Sequence, residues 1–266
     1  MNRPPAVAGM FYPDNPAQLK RAVNNYLSSA EQSQAKAPKA MIVPHAGYIY
    51  SAQAASHAYC LLNNVADTIT RVVILGPSHR VPLIGLAVPS YQAFTTPLGD
   101  IPVDKAATDA LVNAGFANYL NEAHQLEHSI EVQLPFLQTV LKQFSIVSIA
   151  VGMCETEEVS QALEAVWGQE ETLIIISSDL SHYLSYQEAV ALDQKTAHAI
   201  ECFDLKDINH EQACGATAIC GLLASAKRHA LAVTRVALCN SGDTAGTKDR
   251  VVGYGSFVFN ETPSLS

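Results

Sequence analysis

The sequence of 266 residues lacks the features that define several large classes of protein. No apolar run approaches the roughly 20 residues that a membrane-spanning helix needs. The first residues, with Arg3 as their only basic side chain, are not followed by the apolar stretch of a secretory signal. We therefore expect a cytoplasmic protein that has no membrane partner.

Positive charge is also scarce, because 16 Lys and Arg residues face 25 Asp and Glu residues and give a formal net charge of -9. The basic residues are scattered along the chain, whereas a nucleic-acid surface needs them clustered. We therefore predict no nucleic-acid partner. The hydrophobic content of 48% excludes a disordered chain. Because no linker divides the sequence, we predict a single domain over residues 1–266.

Two kinds of chemistry have no motif in the sequence. The six cysteines lack the paired spacing of a structural metal site, and in a protein without a leader they are expected to be reduced thiols. No G-x-S-x-G motif occurs, which argues against the nucleophile elbow of a serine hydrolase.

What the sequence does contain is a set of short apolar runs that each end at a polar side chain. The runs are Met41–Val43 before His45, Val72–Leu75 before His79, Thr172–Ile176 before Asp179 and His182, and Val236–Leu238 before Cys239. Unbroken apolar runs are typical of strands buried on both faces. The carboxyl ends of parallel strands meet at one edge of a sheet, where ligands bind.

These patterns predict an α/β fold with a mostly parallel central sheet and helices on both faces. The helical patterns include one over about 126–142, interrupted at Pro135, and one over about 187–202. Residues 84–88 and 101–103 are predicted to form an added antiparallel ribbon.

His45, His79 and Cys239 are the candidate metal ligands. Imidazole suits iron, copper, zinc and nickel, and a thiolate adds a soft donor. Three protein ligands leave coordination positions open, as catalytic metal sites do. The alternative for each residue is that of an ordinary hydrogen-bonded side chain at the end of a strand.

Asp179 and His182 form a candidate pair for proton transfer. A carboxylate can fix the tautomer of an imidazole and raise its basicity, which leaves the other ring nitrogen for substrate. The alternative is that Asp179 caps the following helix and that His182 packs beneath it.

The segment His124–His128 matches the H-x-x-E-H motif of one class of zinc peptidase, in which two histidines share a helical face and Glu127 is the base. The helix is predicted to begin near Leu126, which leaves His124 outside it. We therefore expect solvated or supporting roles for these residues.

Several longer motifs resemble one family from end to end. They are Arg3–Pro13, Pro44–Ser51, Gly76–His79, Pro97–Gly99, Glu127–Leu137, Ser177–Tyr183 and Val251–Gly255. Their combination and order are similar to the MEMO family, whose bacterial and archaeal members are also labelled AmmeMemoRadiSam system protein B.

The resemblance implies a fold like that of the class III, LigB-type extradiol dioxygenases, which open catechol rings with non-haem Fe(II). It implies that His45 and His79 are metal ligands and that His182 is the acid/base near substrate. Where the dioxygenases have a carboxylate as third ligand, this chain offers Cys239. The expected cofactor is a divalent metal, Fe(II) first, with copper or zinc as alternatives.

The resulting hypothesis is a metal-dependent, dioxygenase-like oxidoreductase whose substrate is unknown. Its pocket would include His128, with Phe11 and Tyr50 as aromatic walls. The rival hypothesis is a non-catalytic protein that uses the same pocket to recognise a peptide or a small molecule. The resemblance also implies a functional association with a radical SAM protein and an AMMECR-type protein.

Overall fold

A computed structural model of the chain describes residues 1–30 and 37–261. The helices are α1 (Pro16–Ser29), α2 (Tyr48–Tyr59), α3 (Lys105–Asn113), α4 (Glu122–Gln125), α5 (Leu134–Val140), α6 (Thr156–Ala165), α7 (Tyr186–Glu201) and α8 (Ala216–Arg228). The strands are β1 (Ala40–Val43), β2 (Arg71–Pro77), β3 (Leu86–Val88), β4 (Ala93–Thr96), β5 (Gly99–Pro102), β6 (Asn118–Tyr119), β7 (Ser145–Val151), β8 (Thr172–Ser177), β9 (His182–Leu184), β10 (Leu231–Asn240) and β11 (Val251–Glu261).

One large sheet organises the fold, in the strand order β10-β11-β1-β8-β2-β7-β3-β6, with β9 added beside β11. The four central strands, β1, β8, β2 and β7, are parallel. Every residue of β1 and of β8 is buried, as their unbroken apolar sequences predict. Because these strands are parallel and in register, their carboxyl ends lie at one edge of the sheet.

Helices cover both faces of the sheet, so the predicted α/β fold is confirmed. On one face, Leu163 of α6 and Leu222 of α8 pack against buried side chains of the central strands. On the other face, Leu19 of α1, Ala55 of α2 and Phe136 of α5 do the same. The two apolar cores fix the sheet between them and hold its loop-bearing edge in place.

The sheet is more mixed than predicted, because strands on both flanks run antiparallel to the centre. β11 pairs antiparallel with β1, and β3 pairs antiparallel with β7. The predicted ribbon exists as β4 and β5, but residues 84–88 are not part of it, since β3 joins the large sheet.

The predicted helix over 126–142 is wrong in its first half. α4 ends at Gln125, a short 3₁₀ turn covers Glu131–Gln133, and α5 begins only at Leu134. Pro135 lies in the first turn of α5, where a proline costs no intrahelical hydrogen bond. By contrast, α7 lies within one residue of its predicted bounds. None of the described helices has the length and apolar character needed to cross a membrane.

Candidate metal centre

Three histidine side chains meet at the loop-bearing edge of the sheet. One ring nitrogen from each of His45, His79 and His128 lies within 4.8 Å of the other two. The ring centroids are 5.2 Å apart for His45 and His79, 5.4 Å for His45 and His128, and 4.8 Å for His79 and His128. His45 is buried, whereas the His79 side chain is 30% exposed, so the group is accessible from one side. Within residues 1–30 and 37–261, this is the one cluster of three or more such side chains with metal-binding spacing.

The three histidines come from two kinds of local structure. His45 and His79 each follow the last residue of a central parallel strand by two positions, after β1 and β2. His128 lies in the irregular segment between α4 and the 3₁₀ turn. The strand ends therefore provide two of the rings, and a loop brings the third beside them.

Glu127 fixes the orientation of His79. One carboxylate oxygen lies 2.9 Å from His79 Nδ1, and the other accepts the His79 backbone N–H at 2.6 Å. Burial acts to raise the pKa of Glu127, but the hydrogen bond and charge of His79 and the backbone N–H of Ser129 lower it to about 2. Glu127 is therefore an acceptor at neutral pH, so Nδ1 of His79 carries the proton and Nε2 keeps its lone pair.

A hydroxyl group fixes the orientation of His45 in the same way. Ser177 Oγ donates its proton to the Ser129 carbonyl at 2.5 Å and accepts a hydrogen bond from Gln133 Nε2 at 2.7 Å. The same oxygen lies 3.1 Å from His45 Nδ1, so it accepts the proton of that nitrogen. The Gln133 amide is itself oriented, because its oxygen accepts from the Tyr59 hydroxyl at 2.8 Å. Nε2 of His45 is thus the nitrogen that carries the lone pair, and the Cys214 thiol is its hydrogen-bond partner at 3.3 Å.

Burial keeps the His45 and His128 rings neutral, which is the form that binds metals. Burial, followed by the neighbouring His128 and His79 rings, holds the pKa of His45 well below its ordinary value. Burial also lowers the pKa of His128 to about 4, although Glu127 acts in the opposite direction. Among the described residues, the buried Nδ1 of His128 has no hydrogen-bond partner, and its nearest acceptor is Glu127 Oε1 at 3.3 Å. Neutral imidazole rings fit a divalent metal ion.

Comparison with known proteins agrees with this arrangement. A family model described as "Memo-like protein" matches residues 3–258. The chain belongs to the Memo-like family. A MEMO1 family protein of Aquifex aeolicus is 35% identical over 270 residues, which cover 97% of this chain and 98% of the relative. A MEMO1 family protein of Methanosarcina mazei is 36% identical over 276 residues, which cover 96% of this chain and 98% of the relative.

A solved structure has a similar fold. It is an uncharacterized protein, JW3007, from Escherichia coli K12, with a TM-score of 0.55 and 12% sequence identity over 82% of this chain and 98% of that chain. At that identity the likeness concerns the fold alone. The relationship of this Memo-like chain to the LigB-type dioxygenases stays a prediction from the sequence.

The structure places Asp179 and His182 near the histidine group but does not pair them. Asp179 is buried, and its Oδ1 accepts the backbone N–H of His45 at 2.7 Å. Burial raises the pKa of Asp179 to about 7. No hydrogen bond joins its carboxyl group to the His182 ring in the part of the chain that the structure describes. Asp179 therefore supports the main chain of His45 rather than His182, and it does not cap the following helix.

His182 begins strand β9, where it pairs with Val252, and its ring is half-buried. Burial lowers the pKa of His182, a hydrogen bond to the Leu180 carbonyl raises it, and the nearby His79 lowers it further. The ring is therefore neutral at pH 7, with one nitrogen bonded to the Leu180 carbonyl.

Cys239, predicted as a metal ligand, lies apart from the histidine group, and a different cysteine lies beside that group. Cys239 lies on β10 opposite Tyr254 and is not part of the histidine group. Burial, with Asp243 and Asp193, raises the pKa of its thiol to about 11. The cysteine beside the group is Cys214, whose Sγ lies 3.3 Å from His45 Nε2. It precedes the first turn of α8, and a Cys-Gly pair at the start of an apolar helix was the signal available in the sequence.

The structure thus brings His128, and not Cys239, together with His45 and His79. Cys239 lies near the end of β10, and β11 stands between β10 and β1, the strand that precedes His45. Because both β10 and β1 pair antiparallel with β11, they run in the same direction, but Cys239 lies two strands away from the strand that precedes His45.

The predicted aromatic walls flank the centre. The Phe11 ring lies 4.9 Å from the His128 ring. Gly47, two residues after His45, lies between Phe11 and Tyr50, since a Cβ atom there would be 3.7 Å from Phe11 Cα and 3.8 Å from Tyr50 Cδ2. Phe11 therefore packs on His128 and Tyr50 lies beside the loop that carries His45, while their role as walls of a substrate pocket stays a prediction.

The H-x-x-E-H motif does not form a peptidase site. His124 is buried, with Nε2 at 3.1 Å from the Ala87 carbonyl and Nδ1 at 3.2 Å from Ser148 Oγ. Because α4 ends at Gln125, His124 and His128 do not share a helical face. His124 is therefore not part of the three-histidine group, and Glu127 orients His79.

Proposed function

We propose that this Memo-like chain is a metal-dependent redox enzyme of the non-haem iron type, with the metal held by His45, His79 and His128. The observation that carries the proposal is that Nδ1 donates a hydrogen bond within the protein in two of these rings. Glu127 and Ser177 accept those protons, which leaves Nε2 of His79 and of His45 as ligands. A metal-binding histidine characteristically donates its other N–H in this way.

The donor set supports a reactive metal rather than a structural one. A structural zinc site has four protein ligands, whereas three leave positions for water or substrate. Imidazoles suit iron, copper and zinc alike, so the preference for Fe(II) rests on the resemblance to the extradiol dioxygenases. When bound, Fe(II) would supply the redox chemistry, and a substrate would enter from the side on which His79 is exposed.

The protein's own residues would then handle protons and exclude water. His182 is neutral at pH 7, and the ring nitrogen that is not bonded to the Leu180 carbonyl can accept a proton from substrate. Phe11, packed on His128, would cover one side of the centre. Asp179 holds the backbone N–H of His45 and so keeps that ring at the end of its strand.

The test is anaerobic purification with metal analysis, followed by an oxygen-consumption screen with catechol-like compounds. We expect His182→Ala to keep its metal and to lose turnover, whereas His45→Ala should lose both. Turnover by protein that has been stripped of metal would contradict the proposal. Equal metal loss in the His182 and His45 variants would show that His182 is a ligand.

A non-catalytic binding protein is the second candidate, and exposed apolar side chains next to the site favour it. Met10 is 72% exposed beside Phe11, and Tyr183 is 64% exposed beside His182. Exposed apolar groups around a pocket are typical of recognition surfaces. Tight binding of a peptide or small molecule without turnover would support this function. Association with a radical SAM protein and an AMMECR-type protein stays a prediction, which co-purification tests.

A further inference from the structure

A buried arginine near the start of the chain contacts the irregular segment that carries Glu127 and His128. Neither the Arg3 side chain nor that of Glu131 is exposed to solvent, and Arg3 Nη1 lies 2.5 Å from Glu131 Oε2. Arg3 is also held from its backbone side, since its N–H donates to the Ala93 carbonyl and its carbonyl accepts from Thr95, both at 2.8 Å. The main chain of Arg3 is therefore anchored at the edge of the β4–β5 ribbon.

Two further donors of the Arg3 side chain bind main-chain carbonyls at the two ends of the 124–127 segment. Nε donates to the His124 carbonyl at 2.7 Å, and Nη2 donates to the Glu127 carbonyl at 2.6 Å. The His124 carbonyl lies in the last turn of α4, where it also accepts the backbone N–H of Glu127, and the Glu127 carbonyl lies two residues beyond the helix. A planar guanidinium with donors in fixed directions sets the spacing of the two carbonyls.

Glu131 extends the same contact to the rest of the N-terminal segment. Its Oε2 accepts the backbone N–H of Ala6 at 2.7 Å, and its Oε1 accepts the N–H of Val7 at 3.0 Å and the Tyr12 hydroxyl at 2.5 Å. Tyr12 is next to Phe11, whose ring packs on His128. The pair therefore fastens residues 3–12 and the 124–131 segment to each other.

The irregular segment depends on such contacts because it has no strand ladder of its own. The strands that precede His45 and His79 are held by backbone hydrogen bonds to both neighbours. Glu127 and His128 are held by side chains instead, with Arg3 on one side of the loop and the Glu127 carboxylate folded back on the His128 and Ser129 N–H groups at 2.9 Å.

We propose that Arg3 is a positioning residue for the metal centre. It holds the 124–128 loop so that Glu127 meets His79 and the His128 ring joins those of His45 and His79. The proposal rests on metal binding by these three histidines and assigns the N-terminal segment a part in it.

Arg3→Lys tests the proposal, because lysine keeps the charge opposite Glu131 but cannot donate to three acceptors in fixed planar directions. Co(II) is the probe, added to the whole chain and followed by its visible absorption. We expect Co(II) affinity to fall about 10- to 100-fold, as it does when outer-shell partners of a metal are removed, with a changed spectrum. The control is Leu222→Ala, a buried side chain of α8, which should lose stability without changing the affinity or the spectrum.

A second readout separates this proposal from the metal proposal. In metal-free Arg3→Lys, the amides of His128 and Ser129 should exchange with solvent about tenfold faster, while those of β8 stay as protected as in the wild type. If wild-type protein binds no Co(II), the metal function fails, and the exchange rates alone decide the role of Arg3. Unchanged exchange at His128 and Ser129 would overturn that role, and so would wild-type Co(II) affinity in Arg3→Lys.

Should Arg3→Lys fail to fold, Glu131→Gln replaces it. The amide keeps the shape of the side chain but removes the charge that Arg3 faces, so we expect the same two changes in smaller degree. A folded Glu131→Gln protein with wild-type exchange and wild-type Co(II) binding would overturn the proposal equally.

Discussion

The candidate metal centre is assembled from two regions that reach the same place by different means. His45 and His79 follow central strands whose positions are set by backbone hydrogen bonds to neighbouring strands. Glu127 and His128 lie in a segment without regular structure, which is positioned by side-chain hydrogen bonds from Arg3 and by the Glu127 carboxylate itself.

This difference has a physical consequence for how the centre responds to change. A ladder of backbone hydrogen bonds tolerates substitution of any one side chain, because no single side chain holds it. The irregular segment depends on a buried ion pair whose partners lie 128 residues apart in the sequence. We therefore expect single substitutions to displace Glu127 and His128, the loop-borne half of the centre, more readily than His45 and His79, the strand-borne half.

The largest effect should come from breaking the buried ion pair. Arg3→Met leaves Glu131 as an uncompensated buried charge, and we expect it to cost about 3–5 kcal/mol of unfolding free energy. The control is Lys142→Met, whose partner Asp67 is 74% exposed, and which should cost less than about 1 kcal/mol. Urea unfolding measures both. Similar losses in the two variants would mean that the pair does not stabilise the loop.

Removing a ring from either region should abolish tight metal binding. His45→Ala represents the strand-borne ligands and His128→Ala the loop-borne ligand, and we expect both to lose more than the roughly 10- to 100-fold typical of an outer-shell residue. Isothermal titration with Co(II) measures the affinity. His124→Gln, four residues from His128, is the matched control and should bind as the wild type does. Unchanged affinity in His128→Ala would remove the loop from the centre.

Glu127→Gln tests the contact through which the loop acts on a strand-borne ligand. The amide has no negative charge, so it holds the Nδ1 proton of His79 less firmly, and we expect Co(II) affinity to fall about 10- to 100-fold. Glu158→Gln, a substitution at the exposed start of α6, serves as the control. If Glu127→Gln binds Co(II) like the control, the tautomer of His79 is set by something else.

The smallest effect concerns His124, which lies in the loop region but outside the centre. Burial lowers the pKa of His124 to about 4, from an ordinary value near 6.5. As pH falls through this window, the unfolded chain binds a proton that the folded chain does not, so stability declines. His124→Gln removes this proton uptake by the unfolded chain. Between pH 7 and pH 5 we therefore expect the variant to lose less unfolding free energy than the wild type, by up to about 2 kcal/mol.

The measurement is urea unfolding of both proteins at the two pH values. The comparison has to be made between variant and wild type, because the buried Asp179 and Asp193 have raised pKa values and gain stability over part of the same range. Identical pH dependence in the two proteins would show that His124 takes up its proton in the folded state.

The strand-borne half of the centre could be predicted from the sequence, and the reason is local. Apolar runs such as Val72–Leu75 define buried strands by their own composition, and the edge where parallel strands end is then known. His45, His79 and the helices on both faces of the sheet follow from that. The central four strands are parallel as expected, whereas Cys239 lies outside the histidine group because β11 separates its strand from β1.

The loop-borne half could not be predicted, since its structure depends on contacts that are distant in sequence. The apolar pattern of residues 126–142 predicts a helix, but the hydrogen bonds of Glu127 to His79, and of Arg3 to the Glu127 carbonyl, hold its first part in an irregular form. The H-x-x-E-H motif was uninformative for the same reason, because His124 and His128 are four residues apart but face different surroundings. The hydrophobic periodicity of the sequence carries no information about these hydrogen-bond partners.

The most direct test of the account is the position of a metal ion in crystals of the protein loaded anaerobically with Fe(II). We expect one anomalous scattering peak about 2.0–2.2 Å from a ring nitrogen of each of His45, His79 and His128, with Nε2 as the ligand atom of the first two. A peak at Cys239 or His124, or one that contacts only the strand-borne histidines, would contradict it.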